Sequence, residues 1–213
     1  DLYATSLFSA SLTSFSRSSS GGITQKTDLA GCSVNRAPLA SSTCRYVRHM
    51  SQPEGLVVAP GGRNVYVTAF KTGAVTVYDR DPKSGVVLQK RGAAGCVGAP
   101  AGCTKGRALA GASSAVVSPD AASFVIDTAP RKPEVVFVPK TGTTLPPAIP
   151  IPNGERPVYA PYARPPVLLT IGPRGVLRRP WPKPGETLAK PDAIPNTTSS
   201  ATIQAELSAG PEC

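Results

Sequence analysis

The chain has 213 residues and a formal charge of +10, from 23 Lys and Arg against 13 Asp and Glu. Its 20 glycines and 24 prolines rule out long amphipathic helices, because proline removes a helix donor and clashes with the preceding turn. An all-α fold is therefore excluded, as is a spanning helix, since no stretch approaches the ~18 consecutive apolar residues it needs.

The first segment, LYATSLFSASLTSFSRSSSGG, alternates small, apolar and polar residues and reads as strand, turn and strand, with Leu2–Leu7 as the opening strand. Cys32 and Cys44 follow, then RYVRHMSQPEG with the single histidine, His49. From Glu54 to Cys96 the pattern predicts four short strands. Leu56–Ala59 is apolar and ends at Pro60-Gly61-Gly62. Val65, Val67 and Ala69 alternate with Tyr66 and Thr68, which puts the two sets on opposite faces. After Lys71-Thr72-Gly73, Ala74–Tyr78 is β-branched and aromatic, and Asp81–Gly85 turns the chain into Val86–Gln89.

This segment recurs along the chain, a periodicity characteristic of repeat architectures. At an offset of 63, Tyr3, Thr5, Thr13, Arg17 and Gly22 match Tyr66, Thr68, Thr76, Arg80 and Gly85. After a one-residue shift, Ala30-Gly31-Cys32 matches Ala94-Gly95-Cys96. A third copy at offset 59 places Val116, Val117 and Pro119 on Val57, Val58 and Pro60, Val136 on Val77, and Phe137 on Tyr78. A fourth, weaker copy at offset 33 sets Pro119 on Pro152 and Val135-Val136 on Leu168-Leu169. Seventeen of the 24 prolines lie between Pro130 and Pro195, so an extended, polyproline-like tail is the competing reading of that region.

Four strands in roughly 33–43 residues is the size of a propeller blade. The expected fold is all-β: a β-propeller-like array of four-stranded antiparallel blades, three clear and a fourth degenerate, or part of a larger propeller. The expected blades are 1–31, 54–95, 113–147 and 148–180. A proline-rich tail, 181–213, follows, with Thr202–Leu207 as a strand that would pair with Leu2–Leu7 and close a ring. The chain starts at the second strand of a blade, without an initiator Met or signal-type segment, and reads as a mature product or a fragment.

VVAPGGRNVYVTAF, GAVTVYDRDPKSGVVLQ and the AGC…C insertions resemble secreted bacterial β-propeller repeat proteins of the lactonase-like, YVTN type. The resemblance covers 1–126 well and 127–177 loosely. It implies a propeller fold and says little about activity, because one fold hosts many functions.

Cys32–Cys44 and Cys96–Cys103 are expected disulfides, each placed after an equivalent strand and closing a short loop, with Cys213 left over. Such pairs suit an oxidising compartment, here extracellular or periplasmic. No catalytic, cofactor or metal residue is expected. One histidine cannot complete a Cys/His zinc cluster at the usual spacing, and His49, beside Arg45 and Arg48, has no sequence-local acid to orient it. Asp79 and Asp81 in DRDPKSG mimic the start of a calcium loop but lack its closing Glu, which favours a turn. GCVGAPAGCTKG lacks the order of a phosphate loop, and no GxSxG occurs. Asn196-Thr197-Thr198 is a glycosylation sequon, and Trp181 in RRPWPKPG is either an exposed recognition aromatic or a cap on the last blade.

The positive charge is scattered, its longest runs being pairs such as Arg178-Arg179, which argues against dedicated nucleic-acid binding. The favoured function is a non-catalytic extracellular propeller for binding or scaffolding, its partner an unidentified protein or anionic polymer. The alternatives are a lactonase-like hydrolase acting on a sugar lactone, and binding of anionic polymers through the basic surface.

Overall fold

Short runs of β-branched residues between glycine and proline turns become strands almost throughout. The computed structural model describes residues 1–35, 43–106, 109–118, 120, 123–128, 134–137, 147–152, 154–158, 166–172 and 175–193. Among them the chain forms four sheets and is nearly all-β, grouped into two compact units, Asp1–Ala115 and Val116–Cys213. No helix of the described residues is long and apolar enough to cross a membrane.

The first sheet has β1 (Leu2–Ser6) antiparallel to β2 (Ser11–Arg17). The far side of β2 is covered by two short strands, β3 (Ile23–Gln25) and β4 (Cys32–Val34), with the one-turn helix α1 (Asp28–Gly31) between them. A parallel β5 (Arg45–Tyr46) finishes the edge. The second sheet begins with β6 (Pro53–Val58), β7 (Asn64–Ala69) and β8 (Ala74–Arg80), all antiparallel. It then repeats the divided strand: β9 (Val87–Gln89), a 3-10 turn at Gly92–Gly95, β10 (Cys96–Gly98) and parallel β11 (Thr104–Lys105). Thus Val86–Gln89 is only the first part of the last long strand, and the sheet extends past the expected boundary at 95.

The two sheets share one register. Ala4 faces Thr13 as Val67 faces Thr76, and Phe15 faces Gln25 as Tyr78 faces Gln89. Thr13 faces Cys32 as Thr76 faces Cys96, which carries the one-residue shift of the alignment into the ladder. Gly31 and Gly95 explain why a glycine precedes each of these cysteines. A Cβ there would run into the carbonyl of Lys26 or of Lys90, so the break in the strand closes only on glycine.

Val65 and Val67 lie together in a cluster with Leu12, Val47, Met50, Tyr78 and Val87, as the alternation of β7 requires. Each fully buried aliphatic side chain contributes roughly 1.5–3 kcal/mol relative to exposure. The first sheet is tied to the second by polar contacts as well. The Tyr3 hydroxyl donates to the Gly85 carbonyl (2.6 Å) and accepts from Arg80 Nε (2.7 Å), while Asp1 bridges Lys26 (3.0 Å) and Arg80 (2.8 Å).

In the second unit, the third sheet comprises β12 (Ala112–Val117, which begins in the first unit), β13 (Ser123–Thr128), β14 (Glu134–Phe137) and β15 (Ile149–Pro150). The fourth comprises β16 (Arg156–Val158), β17 (Val167–Gly172), β18 (Gly175–Pro180) and β19 (Asp192–Ala193). Two details of the sequence alignment need correction. Offset 33 equates Val135-Val136, on the third strand of its sheet, with Leu168-Leu169, on the second strand of the next; the apolar pair fits either position, and the alignment chose the wrong one. Val136, rather than Phe137, stands opposite Phe124, because the register of β13 and β14 is one residue tighter than that of β7 and β8. The fourth sheet also takes its last strand from 192–193, beyond the expected boundary at 180. The expected strand 202–207, the sequon at Asn196 and Cys213 lie outside the described residues.

Candidate functional site

The sequence draws attention to the loops that follow the divided strands, and the chemistry of the first unit gathers at one of them. The sulfurs of Cys32 and Cys44 stand 1.93 Å apart with Cα atoms at 4.8 Å, and those of Cys96 and Cys103 stand 1.99 Å apart with Cα atoms at 4.9 Å. Both are disulfide distances. Each pair clasps the turn that brings a short parallel strand, β5 or β11, back beside its neighbour.

Beside the second clasp the chain brings a residue that local spacing could not place. The ring of His49 and the sulfurs of Cys96 and Cys103 put their donor atoms within 4.8 Å of one another. His49 and Cys103 are half-buried and Cys96 is buried. The segment carrying His49 is pinned on both sides. Arg48 N–H donates to Gln89 Oε1 (2.9 Å), and Gln89 Nε2 donates back to the Arg48 carbonyl (2.9 Å) and to that of Gly95 (3.1 Å). Thr76 Oγ1 donates to the His49 carbonyl (3.1 Å), and Ser51 N–H donates to Thr72 Oγ1 (2.9 Å). Met50 is fully buried, with its sulfur accepting from the Tyr78 hydroxyl at 2.9 Å. Burial pushes that hydroxyl far above the ordinary tyrosine range, so it is a permanent donor. His49 itself holds φ at 58°, a left-handed conformation that a non-glycine residue adopts only when its surroundings impose it.

A cleft of about 340 Å³ lies against the same loop, lined by Phe70–Gly73, Ala99, Gly106 and Leu109–Gly111. Among the described residues that line it, Lys71 is the one charged side chain and there is neither a carboxylate nor an imidazole. Its walls mix Phe70, Leu109 and small residues with the Thr72 hydroxyl and backbone, suited to a small ligand carrying an anionic group.

The remaining sequence candidates have structural occupations. Asp81 Oδ1 accepts the N–H groups of Lys83 (2.8 Å) and Ser84 (3.4 Å), which builds the turn and holds its carboxyl below the usual range; the Lys83 bond is the larger cause. Asp79 pairs with Lys90. Tyr66 is held above its ordinary value, by burial first and the charge of Asp79 second. Trp181 is half-buried against the apolar cluster of the second unit, and its Nε1 donates to Ser123 Oγ at 2.8 Å. It caps the packing there. Sequence reading missed one buried polar group in that unit: Arg179 donates two bonds to Glu155, at 2.6 and 2.8 Å, and a third to Thr170 Oγ1 at 2.9 Å. Arg178-Arg179 gave the only signal, a charge inside an apolar strand pattern.

These sheets define the fold: nearly all-β among the described residues, built of successive, mainly antiparallel sheets. A putative 6-phosphogluconolactonase of Bacteroides uniformis shares the fold at a TM-score of 0.53 and 14% identity, with 87% of this chain covered and 52% of that one. Its counterpart from Bacteroides fragilis matches at a TM-score of 0.38 and 11% identity, covering 87% and 65%. The hydrazine synthase of Kuenenia stuttgartiensis matches at 0.31 and 14%, covering 83% and 61%. The chain thus spans about half of the first of these proteins and under two thirds of the other two. No family model and no curated protein matches it.

Proposed function

We propose that this chain is a non-catalytic propeller module of the extracellular space or periplasm, repeating one blade pattern and displaying cysteine-clasped loops for binding. The observation that carries this reading is the common register of the first two sheets, which sets an equivalent clasped loop at the same edge of each. Beside the second loop, the described residues that line the cleft offer Lys71 and Thr72 on otherwise apolar walls, and among them no acid–base pair of the kind that ring opening of a lactone requires. The buried carboxylate of Glu155 is already committed to Arg179 and Thr170.

A second reading has a specific observation behind it. The fold likeness to a putative 6-phosphogluconolactonase supports a lactonase-like hydrolase acting on a sugar lactone, with residues outside this chain or outside the described ones completing its site.

A pH-stat assay with 6-phosphogluconolactone separates the two. The binding module leaves the rate at its spontaneous value. Saturable acceleration that is lost in Lys71→Ala would overturn it in favour of the hydrolase. Location is tested on the secreted chain by peptide mapping without reductant, which is expected to recover Cys32 with Cys44 and Cys96 with Cys103.

A further inference from the structure

The two clasps are equivalent in the ladder and unequal in their surroundings. The offset of 59 that maps Cys44 onto Cys103 also maps Arg48 onto Arg107, Met50 onto Leu109 and Gln52 onto Gly111. Leu109 is buried as Met50 is, and Gly111 shares the positive φ of Gln52. In this register His49 corresponds to Ala108. The repeat therefore does not need an imidazole at this point for packing. The single histidine of the chain stands where it meets the sulfurs of Cys96 and Cys103.

We propose that His49, Cys96 and Cys103 form a redox-gated site for one Zn²⁺. The paired sulfurs exclude the ion, and their reduction opens a Cys₂His set with a water in the fourth position. A dithiol reductant gives two electrons and two protons to the Cys96–Cys103 bond, leaving two thiols and its own cyclic disulfide. Zn²⁺ then displaces both thiol protons to solvent and takes a ring-nitrogen lone pair of His49. With Zn–S near 2.3 Å and Zn–N near 2.0–2.1 Å, a tetrahedral ion holds its ligand atoms roughly 3.5–3.8 Å apart. The three donors already lie within 4.8 Å, so the ring has about an ångström to travel and the freed sulfurs need only separate.

The backbone around His49 is fixed: Thr76 Oγ1 donates to the His49 carbonyl, the neighbouring Arg48 and Ser51 N–H groups donate to Gln89 and Thr72, and Met50 is buried. Cys103 is held from its other side by its N–H bond to the Pro100 carbonyl (3.2 Å) and by Thr104, whose hydroxyl donates to the Ala93 carbonyl (2.9 Å), so opening is a movement of the Cys103 side chain. Arg48 reaches the Gly92 carbonyl at 2.8 Å, which ties the segment carrying His49 to the turn that leads into Cys96. Half-exposure of His49 and Cys103 gives both reductant and ion a way in. The proposal goes beyond the binding-module reading and stands whether or not the chain opens a lactone.

The test uses the full chain, reduced anaerobically with a phosphine that is then removed, and Co²⁺ and Zn²⁺ as probes. One equivalent of ion is expected in the reduced chain and none in the oxidised one. Co²⁺ should show thiolate-to-metal charge transfer and the visible bands of a tetrahedral centre. His49→Ala should lower affinity more than about a hundredfold, exceeding the 10–100-fold typical of outer-shell partners, and His49→Cys should restore it. A joint Cys96→Ala, Cys103→Ala variant should bind nothing, although Cys32 and Cys44 remain. Undiminished binding in either alanine variant overturns the proposal, as does a reduced chain that stays folded by circular dichroism and takes up no ion. If reduction unfolds the chain, Zn²⁺ must restore the spectrum, and failure to do so counts equally against it.

Discussion

The two units solve the problem of an interior differently. The first fills its core with valines, Leu12, Met50 and Tyr78, and the polar groups described there are uncharged: the Tyr78 hydroxyl on the Met50 thioether, and threonines bonded to backbone carbonyls. The second buries a full ion pair, Glu155 with Arg179, beside Thr170, while Val116, Val125, Val135 and Leu168 form the apolar cluster of that unit. An apolar core gains from every side chain it removes from water. A buried pair must first recover the cost of stripping water from two charges, and it does so only with its hydrogen bonds complete. The second unit should therefore fail abruptly when one partner is lost, and the first should degrade in proportion to what is removed.

The sharpest break is Glu155→Ala, which leaves the Arg179 guanidinium buried without its counter-charge. A loss of about 3–5 kcal/mol is expected, read by denaturant unfolding through the fluorescence of Trp181, the only tryptophan in the chain. Replacing both partners with methionine should cost less than the single change, because no charge is then stranded. If the double variant is the weaker one, the pair is a source of net stability and the contrast between the units disappears.

In the first unit, Tyr78→Phe removes only the bond to Met50 and keeps the ring in place. It should cost about 0.5–1.5 kcal/mol, measured as a modest fall in the unfolding midpoint. A loss as large as that of Glu155→Ala would mean that this core, too, depends on a polar contact.

The smallest effect belongs to the surface turn at Asp81, where the carboxyl is held below its ordinary value by the Lys83 and Ser84 contacts. A group whose folded value is lowered contributes stability that is present above its unfolded pKa, about 3.9. That contribution fades as pH falls through the lower folded value. Stability of the wild type and Asp81→Asn, compared from about pH 5 down to about pH 2, should converge with acid, since asparagine keeps the acceptor and loses the titration. Parallel curves would assign the turn to glycine and proline alone.

Strands and turns of the first two sheets were legible in sequence because they are local, whereas the division of the last strand, Val87–Gln89 from Cys96–Gly98, was not. Alternation at Val65–Ala69 places the valines on one face, and a glycine is obligatory before Cys32 and Cys96, where the backbone closes on itself. The cysteine pairs could be read from the same repetition. Legibility fell in the second unit, where prolines and short apolar pairs fit more than one strand. There, Leu168-Leu169 was set against the wrong partner and Val136 was displaced by Phe137.

Composition, periodicity and turn chemistry thus determined by themselves an all-β chain of short antiparallel strands with paired cysteines at equivalent points, because each depends on residues within a few positions of one another. Tertiary structure alone decided which distant groups meet. It set His49, 47 residues before Cys96 in the chain, beside that cysteine and Cys103, and it aimed Arg179 inward at Glu155 while its neighbour Arg178 stays exposed. Contacts of this kind depend on how one turn packs against another sheet edge, which no spacing rule within a single segment encodes.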